Sequence, residues 1–173
     1  MLGDNAWEED RDTTVALCSE EANACFVLGD LDQMTSLTDE VLSKDIPIRL
    51  KFKAVETKIL ALWAAGKAIE SIDTAFDFRR QLGLKCFKNK PVSTATVLIE
   101  YMKTNRALGA RTAEDIASLP PIQNERVAMG QRILELLLYP VYQGQQSMYP
   151  LISFLLVRTT IKYGLSARCV AVR

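Results

Sequence analysis

The residue types available for chemistry are limited from the outset, because the 173-residue chain contains no histidine. This excludes a Ser-His-Asp or Cys-His nucleophile, a histidine phosphoacceptor and any metal site that uses imidazole. Four cysteines remain (Cys18, Cys25, Cys86 and Cys169), without a Cys-x-x-Cys pair and without a preceding signal peptide. They are typical of reduced core cysteines in a cytoplasmic protein, which is the localisation we predict.

One glycine-lysine pair invites comparison with a phosphate-binding loop. Gly66-Lys67 is followed by Ala68, where such a loop carries Ser or Thr for magnesium, and Ala61 stands where its first glycine belongs. A phosphate loop also follows a strand, whereas this stretch lies between two helical patterns. The pair therefore predicts a helix-turn-helix and not a nucleotide site.

Acidic residues form three groups that could suggest a metal or acid-base site: Glu8-Glu9-Asp10, Glu20-Glu21 and Asp30-x-Asp32. Adjacent residues on a helix point roughly 100° apart, so the first two groups are typical of solvated faces. The third lacks the glycine and the distal glutamate of a calcium loop and is typical of a helix N-terminus. We predict no catalytic residue, no cofactor, no cofactor-binding residue and no metal ligand.

Charge is divided unevenly although the net charge is zero. The first 45 residues hold twelve acidic and two basic side chains, and the remainder holds nine acidic and nineteen basic. The split fits solvated helix faces, attraction between two parts of one domain, or a basic surface for an anionic partner. Lys85, Lys88 and Lys90 around Phe87 are the densest basic stretch, too sparse to predict nucleic-acid binding.

The elements that must position these residues are helices. Apolar residues recur at helical spacing between glycine or proline stops, which predicts nine helices. The first four are Asp12–Leu28, a second from Leu31 that is ended by Ile46-Pro47, a third lined by Phe52–Trp63 that stops at Gly66, and a fourth lined by Ile69–Phe76 that stops at Gly83. The other five are Pro91–Leu108, a short helix capped by Thr112 and ended by Pro120-Pro121, Val127 to about Tyr139, Ile152–Tyr163, and Leu165 to Arg173.

The turn glycines indicate a repeat. Gly29, Gly66 and Gly109 are 37 and 43 residues apart, close to the 34-residue tetratricopeptide period, and we predict that each closes a turn. The predicted fold class is all-α: stacked antiparallel helical hairpins in a degenerate tetratricopeptide-like α-solenoid. We predict one helical-repeat region over residues 1–173, a fragment of a longer chain because the ninth helix is cut at Arg173.

Two further patterns leave an alternative open. Residues 136–157 carry no charge, yet Pro140, Gly144 and Pro150 interrupt them, so two packed helices are favoured over a membrane span. Five large aromatic side chains lie at spacings typical of a helical core, and a binding groove is the alternative. They are Trp7, Trp63, Tyr139, Tyr142 and Tyr149.

Several stretches together resemble a known family. In chain order they are Trp7, EANACFVLGDLDQM (21–34), LALWAAGKAIESIDTAFDFRRQLGL (60–84), LGARTAEDIASLPP (108–121) and IKYG (161–164). They resemble the helical, tetratricopeptide-like region of large multidomain signalling kinases. In that family a serine/threonine kinase domain and a predicted AAA-type ATPase precede this region, and GAF sensor and histidine kinase domains follow it.

The resemblance implies a context and no active site. We expect a non-catalytic scaffold or regulatory linker within a signal-transduction kinase, whose partners are neighbouring domains of the parent protein or another protein. The alternative is a free-standing helical adaptor that binds a peptide or helix of a partner protein. We expect no membrane or nucleic-acid partner, and weak self-association through an exposed apolar end.

Overall fold

The structure is a computed structural model that describes residues 10–87 and 92–166, and these residues are all-helical. Eight α-helices lie close to the first eight predicted ones. In chain order they are α1 (Arg11–Leu28), α2 (Leu31–Ser43), α3 (Ile48–Ala64), α4 (Ala68–Gln81), α5 (Thr94–Leu108), α6 (Ala113–Ala117), α7 (Glu125–Gly144) and α8 (Tyr149–Tyr163), with a 3₁₀ turn at Gln146–Met148.

Local capping explains where these helices begin. Asp10, Asp30, Ser93, Thr112 and Asn124 each accept a hydrogen bond from a backbone N–H in the first turn of the helix that follows. The short α6 has the predicted capping box, because the Asp115 carboxylate also accepts from the Thr112 N–H at 2.8 Å.

The end of the seventh helix and the start of the ninth differ from the sequence prediction. Helix α7 does not end near Tyr139 but continues through Pro140 to Gly144. Proline costs one helical hydrogen bond, but Pro140 and Val141 are both buried, and their packing keeps the helix continuous. The predicted ninth helix does not begin at Leu165, since Leu165 and Ser166 are not helical; its remaining residues lie outside the described ranges.

The chain divides between Thr74 and Ala75 into two compact units. In the first unit, α1, α2 and α3 each contact the other two helices. Their buried faces meet in two apolar clusters. The clusters are Val15, Cys18, Val41 and Ala54, and Ala22, Met34, Leu37 and Ala61.

In the second unit, α8 is the central helix of the described part, because both α5 and α7 pack against it. Fully or nearly fully buried side chains of α7, α8 and the turn between them form its core: Ile133, Leu134, Leu137, Val141, Met148, Leu151 and Ile152.

Gly130 of α7 lies so close to Leu84 that an added Cβ would be 2.0 Å from Leu84 Cδ1. Arg79, 3% exposed, donates to the Gly130 carbonyl and to the Lys85 carbonyl at 3.0 Å.

A backbone clamp joins the end of α8 to the segment between α6 and α7. Leu165 N–H donates to the Pro120 carbonyl at 2.8 Å, and Ile122 N–H donates to the Leu165 carbonyl at 3.0 Å. Gly164 makes this approach possible, because its φ is +109° and a Cβ there would lie 2.1 Å from the Pro120 oxygen. Gly29, Gly66 and Gly109 also have positive φ, as the turn prediction requires.

We predict that Gly164→Ala destabilises the chain far more than Gly83→Ala. Both glycines have positive φ, which costs alanine about 1 kcal/mol, but Gly83 has no atom within 4 Å of the new Cβ. Gly164→Ala must also push Pro120 away, so we expect a loss of about 3 kcal/mol in urea unfolding followed by circular dichroism. Equal losses of stability in the two variants would contradict the close contact between Gly164 and Pro120.

Candidate interaction site

A buried carboxylate holds α5 against α8. The Arg158 guanidinium donates to Glu100 Oε2, to the Glu100 carbonyl at 3.0 Å and to Thr104 Oγ1 at 2.8 Å. The side chains of Glu100 and Arg158 are 7% and 16% exposed. One arginine therefore satisfies a charged group, a backbone acceptor and a hydroxyl on the neighbouring helix.

Two lysines complete the environment of this carboxylate. Lys103 Nζ lies 2.9 Å and Lys85 Nζ 3.4 Å from Glu100 Oε1. Burial acts to raise the pKa of Glu100, but hydrogen bonds from Lys103 and Arg158, with the charges of Arg158 and Lys85, lower it to about 2. Glu100 is consequently ionised at neutral pH, and a carboxylate with so low a pKa is a weak base there.

An open groove lies on the other side of α8, between α6, α7 and α8. Its volume is about 790 Å³, within the range of ligand-binding clefts, and its lining is mostly apolar. Leu165, which the backbone clamp joins to Pro120, and Ile116 of α6 both line the groove. The lining residues are Ile116, Gln131, Glu135, Leu138, Tyr139, Leu156, Val157, Thr160, Ile161 and Leu165.

Three polar side chains interrupt the apolar lining. Gln131, 3% exposed, donates from Nε2 to Thr160 Oγ1 at 3.1 Å and so joins α7 to α8. Its Oε1 is buried without a hydrogen-bond partner among the described residues, which costs about 1–3 kcal/mol. Glu135 Oε2 lies 3.8 Å from Arg132 NH1 and is the one carboxylate that lines this groove.

The tyrosines predicted to be core are on the surface. Tyr139 is 67% exposed at the groove, and Tyr142 and Tyr149 (59% and 39% exposed) contact each other edge to face at 6.0 Å. The core prediction is wrong for these three because α7 and α8 bury their aliphatic faces instead. Trp63 is partly buried in α3, and Trp7 lies outside the described ranges.

Glu8, Glu9, Lys88, Lys90 and Cys169 lie outside the described ranges, and several other residues considered from the sequence have structural roles. Gly66 and Lys67 lie at the left-handed turn between α3 and α4, as predicted. Asp30 caps α2 by accepting from Gln33 N–H at 3.0 Å, and Glu20 pairs with Lys53 at 3.1 Å. Within the described ranges, no three His, Cys, Asp or Glu side chains are grouped to hold a metal ion.

The uncharged run at residues 136–157 forms the end of α7, the 3₁₀ turn and the first part of α8. Among the described residues, no helix combines the length and the hydropathy needed to cross a membrane.

Cys18 is buried, while Cys25 and Cys86 are partly buried, and all three are free thiols. Burial raises the pKa of Cys86, whose Sγ donates to the Phe76 carbonyl at 3.5 Å.

Glu100, Arg158 and Gln131 were not singled out from the sequence. A signal exists for two of them: Glu100 interrupts the apolar stretch Val97–Met102, and Arg158 is the first charge after the uncharged run. A charge inside an apolar helix face requires a partner. Their separation of 58 residues, however, gives no local indication that they meet.

Comparison of the chain with protein-family models, curated proteins and solved structures finds no match.

We predict that Glu100→Gln removes much of the acid sensitivity of the second unit. The folded pKa of about 2 lies below the ordinary 4.5, so ionised Glu100 adds stability that is complete above about pH 4.5 and lost as the pH falls toward 2. After allowance for solvent screening, the loss is about 2 kcal/mol.

Urea midpoints at pH 7 and pH 2.5 measure this effect, with exposed Glu114→Gln as the control. The wild type and Glu114→Gln should weaken together at low pH. Glu100→Gln should have a lower urea midpoint than the wild type at pH 7, and its midpoint should fall less at pH 2.5. A parallel shift for all three proteins would refute the assigned role.

Proposed function

We propose that the chain is a non-catalytic helical scaffold or regulatory linker that acts by binding a helix of a neighbouring domain or of another protein. The groove between α6, α7 and α8 is the observation that carries this proposal. Its apolar floor and open mouth suit one face of an amphipathic helix, in the manner of other helix-in-groove complexes. We further propose that the helical hairpins stack in a tetratricopeptide-like manner.

The polar groups of the groove define the chemistry of its occupant. Glu135 is an anion at the lining, whereas Gln131 Oε1 is buried and out of reach of an occupant. An occupant with leucine-like residues at positions i, i+3, i+4 and i+7 and one lysine or arginine would fill the apolar surface and pair with Glu135. A purely anionic ligand is disfavoured by the same carboxylate.

The state of the buried charges supports binding over catalysis. Glu100 is ionised and surrounded by three cations, and Arg79 is occupied with two backbone carbonyls. Glu100 has the geometry of a structural ion pair, and Arg79 has the geometry of a donor that satisfies backbone carbonyls. An acid-base residue would instead have a pKa near the working pH and access to a substrate.

The signalling-kinase setting rests on the sequence resemblance alone. The coding sequence on either side of the chain tests it directly. Kinase or AAA-type ATPase motifs before Met1, and GAF or histidine kinase motifs after Arg173, would support the linker. An in-frame stop without such domains would favour the alternative, a free-standing helical adaptor.

We predict that Tyr139→Glu weakens binding of an amphipathic helix at least about tenfold, while Tyr142→Glu changes it less than about twofold. Both tyrosines are exposed on α7, three residues apart, but Tyr139 lines the groove and Tyr142 does not. A tenfold change corresponds to about 1.4 kcal/mol, within the range of one interface anchor.

Fluorescence anisotropy measures this with a panel of labelled synthetic helices. Each has a leucine face and one lysine at a different position. Circular dichroism of both variants checks that they remain folded. Failure of every peptide to bind the wild type, or equal weakening by both substitutions, would overturn the groove as the binding site.

A further inference from the structure

Helix α5 presents an apolar surface away from α8. Glu100 and Thr104 face α8 through Arg158, and the Tyr101 ring lies 5.9 Å from the Phe154 ring of α8. Three other apolar residues of α5 lie on the opposite side of the helix. Leu98, Ile99 and Met102 are 57%, 52% and 62% exposed. Together with Ala95 and Arg106 they follow the helical repeat on one side, and we call these five residues the α5 stripe.

The surroundings of the α5 stripe are basic. Arg106 lies at its C-terminal end, and the side chain of Lys103 beside it is 57% exposed although its amine contacts Glu100. Glu100, the one carboxylate on this helix, is buried on the other face. A partner for the α5 stripe must therefore combine apolar side chains with exposed carboxylates.

The first unit of the same chain carries a surface with these properties. Leu17, Glu21, Ala24 and Leu28 lie on the side of α1 away from its buried residues, and we call them the α1 stripe. Leu17 and Leu28 are 51% and 84% exposed, and Glu21 is also exposed. Glu20 beside them is paired with Lys53 at 3.1 Å, so Glu21 carries the charge of the α1 stripe.

We propose that the α1 stripe of one copy of this protein packs on the α5 stripe of a second copy. The apolar residues recur at matching helical intervals, so the ridges of one stripe can enter the grooves of the other. The charges are opposite, in line with twelve acidic and two basic residues among the first 45 and a basic excess in the remainder. In an antiparallel arrangement that places Leu28 of one copy near Ile99 of its neighbour, Glu21 faces Arg106.

The size of this surface sets the strength of the contact. Three helical turns on each side bury less than about 1,200 Å², the range of weak and transient interfaces. The two stripes are different surfaces, so the contact is heterologous and leaves one free stripe at each end of a pair. Association should increase steadily with concentration and decrease with salt.

Sedimentation velocity over a concentration series tests the apolar part. We expect the weight-average mass of the wild type to rise at about 100 μM and above. Met102→Glu should keep the chain monomeric at every concentration. Ile69→Glu is the matched control, because Ile69 is 47% exposed on α4 and belongs to neither stripe; it should associate like the wild type.

Charge reversal tests the pairing itself. Glu21→Arg alone and Arg106→Glu alone should each weaken association about threefold to tenfold, because like charges then meet. An equimolar mixture of the two variants should restore it to within about twofold of the wild type, since each reversed stripe finds its complement in the other protein. Restoration on mixing requires a contact between copies.

Each other outcome overturns the proposal. A wild type that is monomeric at all concentrations shows that the stripes do not associate. Single variants that associate normally, or a mixture that is not restored, show that another surface or a contact within one chain is responsible. The wild type could also stay monomeric alone but sediment with anionic phospholipid vesicles. If Met102→Glu abolishes that sedimentation, the α5 stripe binds a membrane surface instead.

Discussion

The desolvated carboxylate of Glu100 is the constraint around which the second unit is organised. An ion of this kind is stable in a protein interior only when opposite charges and donors replace the lost water. Arg158 supplies both, and Lys103 and Lys85 add charge from the more exposed side. The result orients Glu100 and Thr104 of α5 toward α8 and leaves Leu98, Ile99 and Met102 exposed.

On the opposite side of α8, the main interaction is a close backbone contact rather than an ion pair. The close approach at Gly164 lets Leu165, which lines the groove, exchange hydrogen bonds with the segment that follows α6. Gln131 and Thr160 join the two long helices beneath it. One helix thus separates a charged attachment on one side from an apolar groove on the other.

The extent to which the sequence predicted this structure follows from the range of each interaction. Helices α1 to α8 were predicted because periodicity, capping residues and turn glycines act within a few residues of one another. Helix α7 extended beyond its predicted end because burial of Pro140 and Val141, a tertiary effect, outweighed the local preference of proline to stop a helix. Three tyrosines were assigned to the core because spacing alone does not say which of two apolar faces is covered.

By itself the sequence determined that the described chain is helical, where most of its helices begin and end, and which chemistries are closed to a protein without histidine. Only the tertiary structure decided that Glu100 meets Arg158 across 58 residues, that Gly164 touches Pro120, and that α6, α7 and α8 enclose a groove. The physical reason is that helix formation depends on neighbours along the chain, whereas burial and charge pairing depend on which faces meet when helices pack.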